Sequence, residues 1–250
     1  MNNDIASRIA IIEEKIEKAC RHSGRKRDEI KLMAVTKFRS LAEVEEAFKA
    51  GIRLFGENRV LEGIEKFSKI REKLKEPAKG LESDKAELHL IGSLQRNKAK
   101  KAAAFYNCIQ SVDRESLIDE LGTLTQNAKY PLIIMLEYHT GEASKAGFPD
   151  QDSVFKAAEK VLSFPGLYPA GLMTMAPFTD DTAAIRSSFR KLAALRDELI
   201  KRFGSGNGKS TIDEKWSILS MGMTNDFEIA IEEGANLIRI GTAIFGDSPL

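Results

Sequence analysis

The chain has 250 residues, 42% hydrophobic and 30% charged, with 38 Lys and Arg against 37 Asp and Glu for a formal net charge of +1. This is the composition of an ordered globular protein and excludes a disordered chain. The balanced charge offers no footprint for nucleic acid or an anionic membrane, no apolar run approaches the ~20 residues of a membrane span, and the polar start Met1-Asn2-Asn3-Asp4 has no signal-peptide core. The two cysteines, Cys20 and Cys108, are far apart in sequence, so neither a disulfide framework nor a zinc site is expected. His22, His89 and His139 share no metal-ligand spacing. The expected compartment is the cytoplasm.

In chain order, Ile5, Ile9, Ile12, Ile16 and Ala19 recur every three or four residues with charges between them, predicting an amphipathic helix. Apolar runs follow at 30–36, 52–55, 87–91, 108–112, 132–137, 168–172, 216–219 and 237–240, short and often rich in Ile or Val, as buried parallel strands are. Helix-like segments separate them at 41–50, 59–74, 94–104, 115–127, 153–162, 181–203 and 226–233. Ser40, Asp180 and Thr224 are the expected N-caps of three of these, and Gly51, Gly204 and Gly234 the expected stops. Strand–helix pairs repeated eight times after one extra helix predict an α/β chain forming a single (β/α)8 TIM barrel domain over 1–250. A doubly wound open sheet shares the alternation, but the regular repeat favours the barrel. The stretch 76–85 (EPAKGLESDK) reads as a polar surface excursion. The stretch 203–210 (FGSGNGKS) reads as a loop, because it lacks the first glycine of a phosphate-binding loop and follows a helix.

A barrel places its chemistry at the C-terminal ends of its strands. Lys37 closes the first apolar run. A lysine there either snorkels to solvent or serves as a nucleophilic amine that forms a Schiff base with an aldehyde. Its unperturbed pKa of about 10.4 leaves little neutral amine near pH 7, so the second reading calls for burial and cationic neighbours. Arg39, Arg59 and Arg239 are the candidates. The segments 220–224 and 239–242 supply a phosphate site by ordinary means: Thr224 and Thr242 offer hydroxyls, Gly241 a bare backbone and Arg239 a charged fork. Equally, the glycines serve tight turns and Arg239 pairs with a carboxylate. Joined to Lys37, these features call for a small phosphorylated aldehyde. His89 reads as a satisfied barrel histidine, the basic run 96–101 as a solvated helix face, and Met173, Met175, Met221 and Met223 as barrel-top packing or a flat lining for an aromatic ring.

At these residues the sequence resembles the pyridoxal phosphate homeostasis (YggS/PROSC) family over nearly its whole length. The motifs are AVTK ending at Lys37, GENR at 56–59, HLIGSLQRNK at 89–98, SVD at 111–113, GEASKAGF at 141–148, GLMTMAP at 171–177, LSMGMT at 219–224 and RIGTAIFG at 239–246. The resemblance implies a fold type III barrel like the N-terminal domain of alanine racemase, with pyridoxal 5'-phosphate on Lys37. It implies Thr224, Arg239, Gly241 and Thr242 around the phosphate, Asn58 beside the ring, and Ser220 and Met223 as lining. Two departures stand out: Leu88 where the family usually has Trp, and Glu137-Tyr138-His139 where it tends to carry Asn. The function implied is a monomeric carrier of the cofactor in vitamin B6 homeostasis, without catalysis, with cofactor-free pyridoxal phosphate enzymes as recipients. The alternative is an amino-acid racemase, which needs an acid–base group on each face of the ring. In alanine racemase the opposing tyrosine comes from a further domain, for which a sequence ending at Leu250 leaves no room. Of Tyr106, Tyr130, Tyr138 and Tyr168, only Tyr138 is expected near a strand's C-terminal end.

Overall fold

A computed structural model describes residues 4–73, 86–141, 146–204 and 215–247. The strands are β1 (Lys31–Val35), β2 (Leu54–Glu57), β3 (Glu87–Leu90), β4 (Cys108–Val112), β5 (Leu132–Glu137), β6 (Leu167–Met173), β7 (Ile218–Ser220) and β8 (Leu237–Ile240). They run parallel in sequence order, and β8 pairs back on β1 with Lys31 opposite Leu237, closing an eight-stranded barrel. The helices are α1 (Ile5–Ser23), α2 (Leu41–Lys49), α3 (Val60–Lys73), α4 (Ala99–Phe105), α5 (Glu115–Thr125), α6 (Gln151–Leu162), α7 (Thr182–Phe203), α8 (Phe227–Glu232) and α9 (Thr242–Phe245). The barrel is the expected fold. The 76–85 excursion, the greater part of the 203–210 loop, and residues 142–145 of the GEASKAGF motif lie outside the described residues.

Local chemistry fixes the element ends. Asp4 caps α1 by accepting from the Ser7 amide at 2.8 Å, and Gly24 closes it at φ +69°. The isoleucine stripe of α1 is buried against α8, α9 and α2, each fully covered Ile contributing about 1.5–3 kcal/mol. Ser40 caps α2 in a capping box with Glu43. Two caps differ from expectation. Asp181, not Asp180, caps α7, because its carboxylate is the one that accepts from the Ala183 and Ala184 amides, at 2.9 and 3.2 Å. Asp226, not Thr224, stands at the N-cap of α8, and Thr224 lies in the preceding turn. The segment expected to be helical from 94 opens instead with a short 3-10 turn, Arg96–Lys98, before α4.

The core has two compartments. The larger lies between the helices and the outer face of the barrel. The smaller is the barrel floor, filled by Met33, Leu54, Cys108, Met135, Ala170 and Leu237. An extra residue on β4 between Ile109 and Val112, and another on β6 at Ala170, shift the register of β5 against its neighbours. Cys20 and Cys108 are both free and buried, and no helix among the described residues is long and apolar enough to cross a membrane.

Candidate functional site

Above its apolar floor the barrel interior turns polar. Buried Arg239 on β8 donates to Ser220 Oγ at 2.8 Å and to the Thr174 carbonyl at 2.7 Å. Ser220 donates its hydroxyl to Gln110 Oε1 at 2.6 Å, and Gln110 Nε2 lies 2.8 Å from His89 Nδ1. The amide nitrogen can only donate, so His89 Nδ1 accepts and the imidazole is neutral, its proton on Nε2. Burial, aided by the charge of Lys31, agrees by holding His89 down at about 3. The satisfied histidine expected from sequence is thus the end of a one-way chain, Arg239 to Ser220 to Gln110 to His89, crossing β8, β7, β4 and β3.

Arg239 itself is pushed down to about 10 by burial, opposed by the carboxylates of Glu137 and Asp226, and stays charged at neutral pH. Glu137 closes β5, is 3% exposed, and carries no hydrogen bond to its carboxylate among the described residues. Burial and then Asp113 raise it to about 7 against the pull of Arg239. Asp226 is also raised by burial, although its carboxylate accepts from the Met223 amide at 2.5 Å.

Lys37 stands two residues past the end of β1. It is exposed and makes no hydrogen bond or ion pair with the described residues. The burial expected for it is therefore not found, because the chain leaves the barrel wall at Thr36. The arginines expected beside its amine are engaged elsewhere. Arg39 turns to the carbonyls of Phe245, Gly246 and Asp247, Arg59 stacks over Phe38 at 4.9 Å, and Arg239 sits in the interior.

Behind Lys37, Glu57 is fully buried and accepts from Lys66 Nζ at 2.6 Å and Thr36 Oγ1 at 2.7 Å. Burial raises Glu57, and the ammonium of Lys66 offsets part of that rise. Asn58 follows at the end of β2, pressed so closely on Gly92 that any Cβ there would meet the Asn58 carbonyl oxygen at 2.3 Å. Its Oδ1 is buried with no partner among the described residues.

The end of β8 lies against the end of β1: a Cβ built on Gly241 would stand 3.5 Å from Val35 Cβ. Gly241 leads into Thr242, exposed at the head of α9, where the first amides have no intrahelical acceptor. Met173 and Met221 are buried in the barrel top, while Met175 and Met223 are each 37% exposed. The fold therefore carries Lys37, Asn58, Ser220, Met223, Thr224, Arg239, Gly241 and Thr242 at the C-terminal ends of β1, β2, β7 and β8. A cavity of about 360 Å³ at the opposite end, lined by Glu13, Arg27, Lys31, Arg53 and Glu87, is remote from all of them.

Comparison with known proteins agrees with this architecture. Residues 9–249 match the family model described as alanine racemase, N-terminal domain. Proteins named pyridoxal phosphate homeostasis protein are 33% identical in Aquifex aeolicus, covering 96% of each chain, and 35% identical in Vibrio cholerae, covering 97% of this chain and 96% of that one. The chain belongs to the pyridoxal phosphate homeostasis protein family. Among solved structures, an unknown protein from Bifidobacterium adolescentis superposes with a TM-score of 0.86 at 32% identity, covering 96% of this chain and 94% of that one. PipY of Synechococcus elongatus, solved with PLP bound, gives 0.78 at 29%, covering 97% and 100%. Alanine racemase of E. faecalis shares the fold at 18% identity and a TM-score of 0.66, covering 98% of this chain and 59% of that one.

Within this family member, sequence reasoning missed Gln110, Thr174, Glu57 and Lys66 as site-building residues. Gln110 was open to detection as the one amide inside the run CIQSV. Lys66 was not, since its partner Glu57 lies on another element.

Proposed function

We propose that this protein binds pyridoxal 5'-phosphate at the C-terminal rim of its barrel, attached through Lys37, and that it stores and hands on this cofactor in the cytoplasm without a reaction of its own. Lys37 carries the reading: an exposed amine, unpaired among the described residues, two residues past the strand that lies against the Gly241 turn. When bound, pyridoxal phosphate supplies an aldehyde whose carbon forms a reversible double bond to a neutral amine nitrogen, one water leaving.

The residues at hand fit that group. Asn58 keeps a buried Oδ1, without a partner among the described residues, beside the rim as a ready acceptor. Gly241 and Thr242 offer bare backbone, a hydroxyl and the first amides of α9 to a phosphate, with Met223 exposed as apolar lining and Thr224 in the adjoining turn. Arg239 keeps a positive charge under the mouth, held by Ser220 and Thr174. The names of the curated relatives and the PLP bound to PipY support the same assignment. The exposure of Lys37 supports a carrier, because water or a recipient's amine reaches it without a lid opening.

A racemase needs a second proton-transfer group. Tyr138, the tyrosine next to the end of β5, has its phenol pushed up by burial and by Asp150, away from the range of a working base. Mixing the protein with pyridoxal phosphate should give a visible absorbance band that borohydride removes, leaving one reduced adduct on Lys37 by peptide mass. Loaded protein should then restore a cofactor-free enzyme at least as fast as free cofactor does. Adducts scattered over surface lysines overturn the site, and failure to transfer overturns the carrier role.

A further inference from the structure

Lys37 is exposed and unpaired among the described residues, yet the peptide groups on either side of it are both held by side chains of α3. The carbonyl before it, on Thr36, accepts from Lys66 Nζ at 2.7 Å. The amide after it, on Phe38, donates to Glu62 Oε1 at 2.9 Å. Glu62 and Lys66 are themselves 3.4 Å apart, and Lys66 is tied at 2.6 Å to the buried Glu57. Glu57 also takes the Thr36 hydroxyl, so three acidic and basic groups converge on one peptide turn.

The turn they hold is one that a free chain avoids. Phe38 has φ +60°, one of two non-glycine residues with positive φ among the described residues. A bulky residue leaves this region unless its surroundings oppose the change. The Phe38 ring adds little burial to oppose it: it is 52% exposed, with the guanidinium of Arg59 over its face. The turn is closed by the Arg39 amide, which donates to the Thr36 carbonyl at 3.1 Å, and α3 supplies the side-chain restraint on top of it.

We propose that Glu62 and Lys66 are positioning residues for Lys37, clamping the left-handed turn that presents its amine, and that this clamp sets how long an aldehyde carried on Lys37 is retained. The inference rests on the attachment proposed above and adds to it a determinant of release. An aldehyde is retained longer when the amine that bears it is held in one orientation, because an oriented amine has a high effective concentration and recaptures the freed aldehyde before it leaves.

The test uses the full chain loaded with pyridoxal phosphate, with hydroxylamine as the trap and the decay of the visible band as the readout. Glu62→Ala removes the acceptor for the Phe38 amide. Release should become about tenfold faster, the scale of one lost hydrogen bond to a charged group. Glu62→Gln keeps an oxygen that accepts from the same amide and should restore slow release. Glu57→Leu with Lys66→Met removes the buried pair as a unit, leaving only the part-exposed Glu62 without its ion pair, and should also speed release. Amide exchange at Phe38 should rise in step in the variants that release fast. If both the Glu62→Ala and the paired variant release at the wild-type rate while Lys37→Ala still abolishes the band, the clamp is refuted and the attachment stands. If Glu62→Gln releases as fast as Glu62→Ala, charge and not the hydrogen bond is at work, and the clamp is likewise refuted. If the wild-type protein gives no reducible adduct on Lys37, the attachment falls and the clamp falls with it.

Discussion

Replacing Glu137 with glutamine isolates the cost of one buried charge. The carboxyl is enclosed at the end of β5, faced by Asp113 after β4 and by Arg239 on β8, and burial with Asp113 lifts it from 4.5 to about 7. Between those values the folded protein binds a proton that the unfolded chain has lost, so stability falls as pH rises through this window. At about 1.4 kcal/mol per tenfold change in proton affinity, the ionised carboxylate costs about 3 kcal/mol by pH 8. Glu137→Gln removes that cost with little change in shape. Its melting temperature at pH 8 should exceed wild type by about 6–12 °C for a chain of this size. By pH 5 the stability difference should shrink below about 1 kcal/mol, since the wild-type carboxyl is then protonated in the fold. Thermal melts of both proteins from pH 5 to 8.5 provide the measurement. A gap between the two that does not vary with pH would show that Glu137 is not ionised against its surroundings.

Other parts of the interior give sharp expectations. His89, lowered from 6.5 to about 3, binds its proton in the unfolded chain first. Stability from this residue is present above pH 6.5 and should have dropped by about 2 kcal/mol at pH 5, a drop that urea titrations of His89→Gln should lack. Ser220→Ala strands a guanidinium N–H of Arg239 and Oε1 of Gln110, and should cost about 1–3 kcal/mol in denaturant unfolding. Gly222 has φ +93°, and a Cβ there would meet Ala230 Cβ at 2.6 Å. Gly222→Ala should therefore destabilise by about 2 kcal/mol or more. Gly241→Ala, whose nearest contact is 3.5 Å, should stay within about 1 kcal/mol of wild type while weakening pyridoxal phosphate binding measured by titration.

The barrel was legible because its strands are short apolar runs and its helices carry their own stops. Where reading failed, two neighbours shared one chemistry or the answer lay across elements. Asp180 and Asp181 are equally good caps on paper, and only the chain's exit angle decides which carboxylate reaches the Ala183 amide. Thr224 and Asp226 posed the same choice, decided by where the turn after Gly222 ends. The sequence left open whether Lys37 is solvated or buried, because the pattern AVTK fixes the end of the apolar run but not the turn at Phe38. The Glu57–Lys66 pair spans β2 and α3, and the Arg239–Ser220–Gln110–His89 chain spans four strands. No local periodicity encodes either. The positions of Gly241 and Arg239 at the end of β8 were legible because that end is a fixed address in any barrel.

The seam between β1 and β8 bears on the order of events in synthesis. Lys31 and Leu237 are paired although the whole of the intervening chain separates them in sequence, and contacts this distant close slowly. A nascent chain stopped before residue 237 leaves β1 with an unfilled edge, and Lys37 then projects from a sheet with no Gly241 turn beside it. Ring closure and completion of the rim are the same step. The binding site proposed at that rim is therefore unfinished in a growing polypeptide until its last strand is in place.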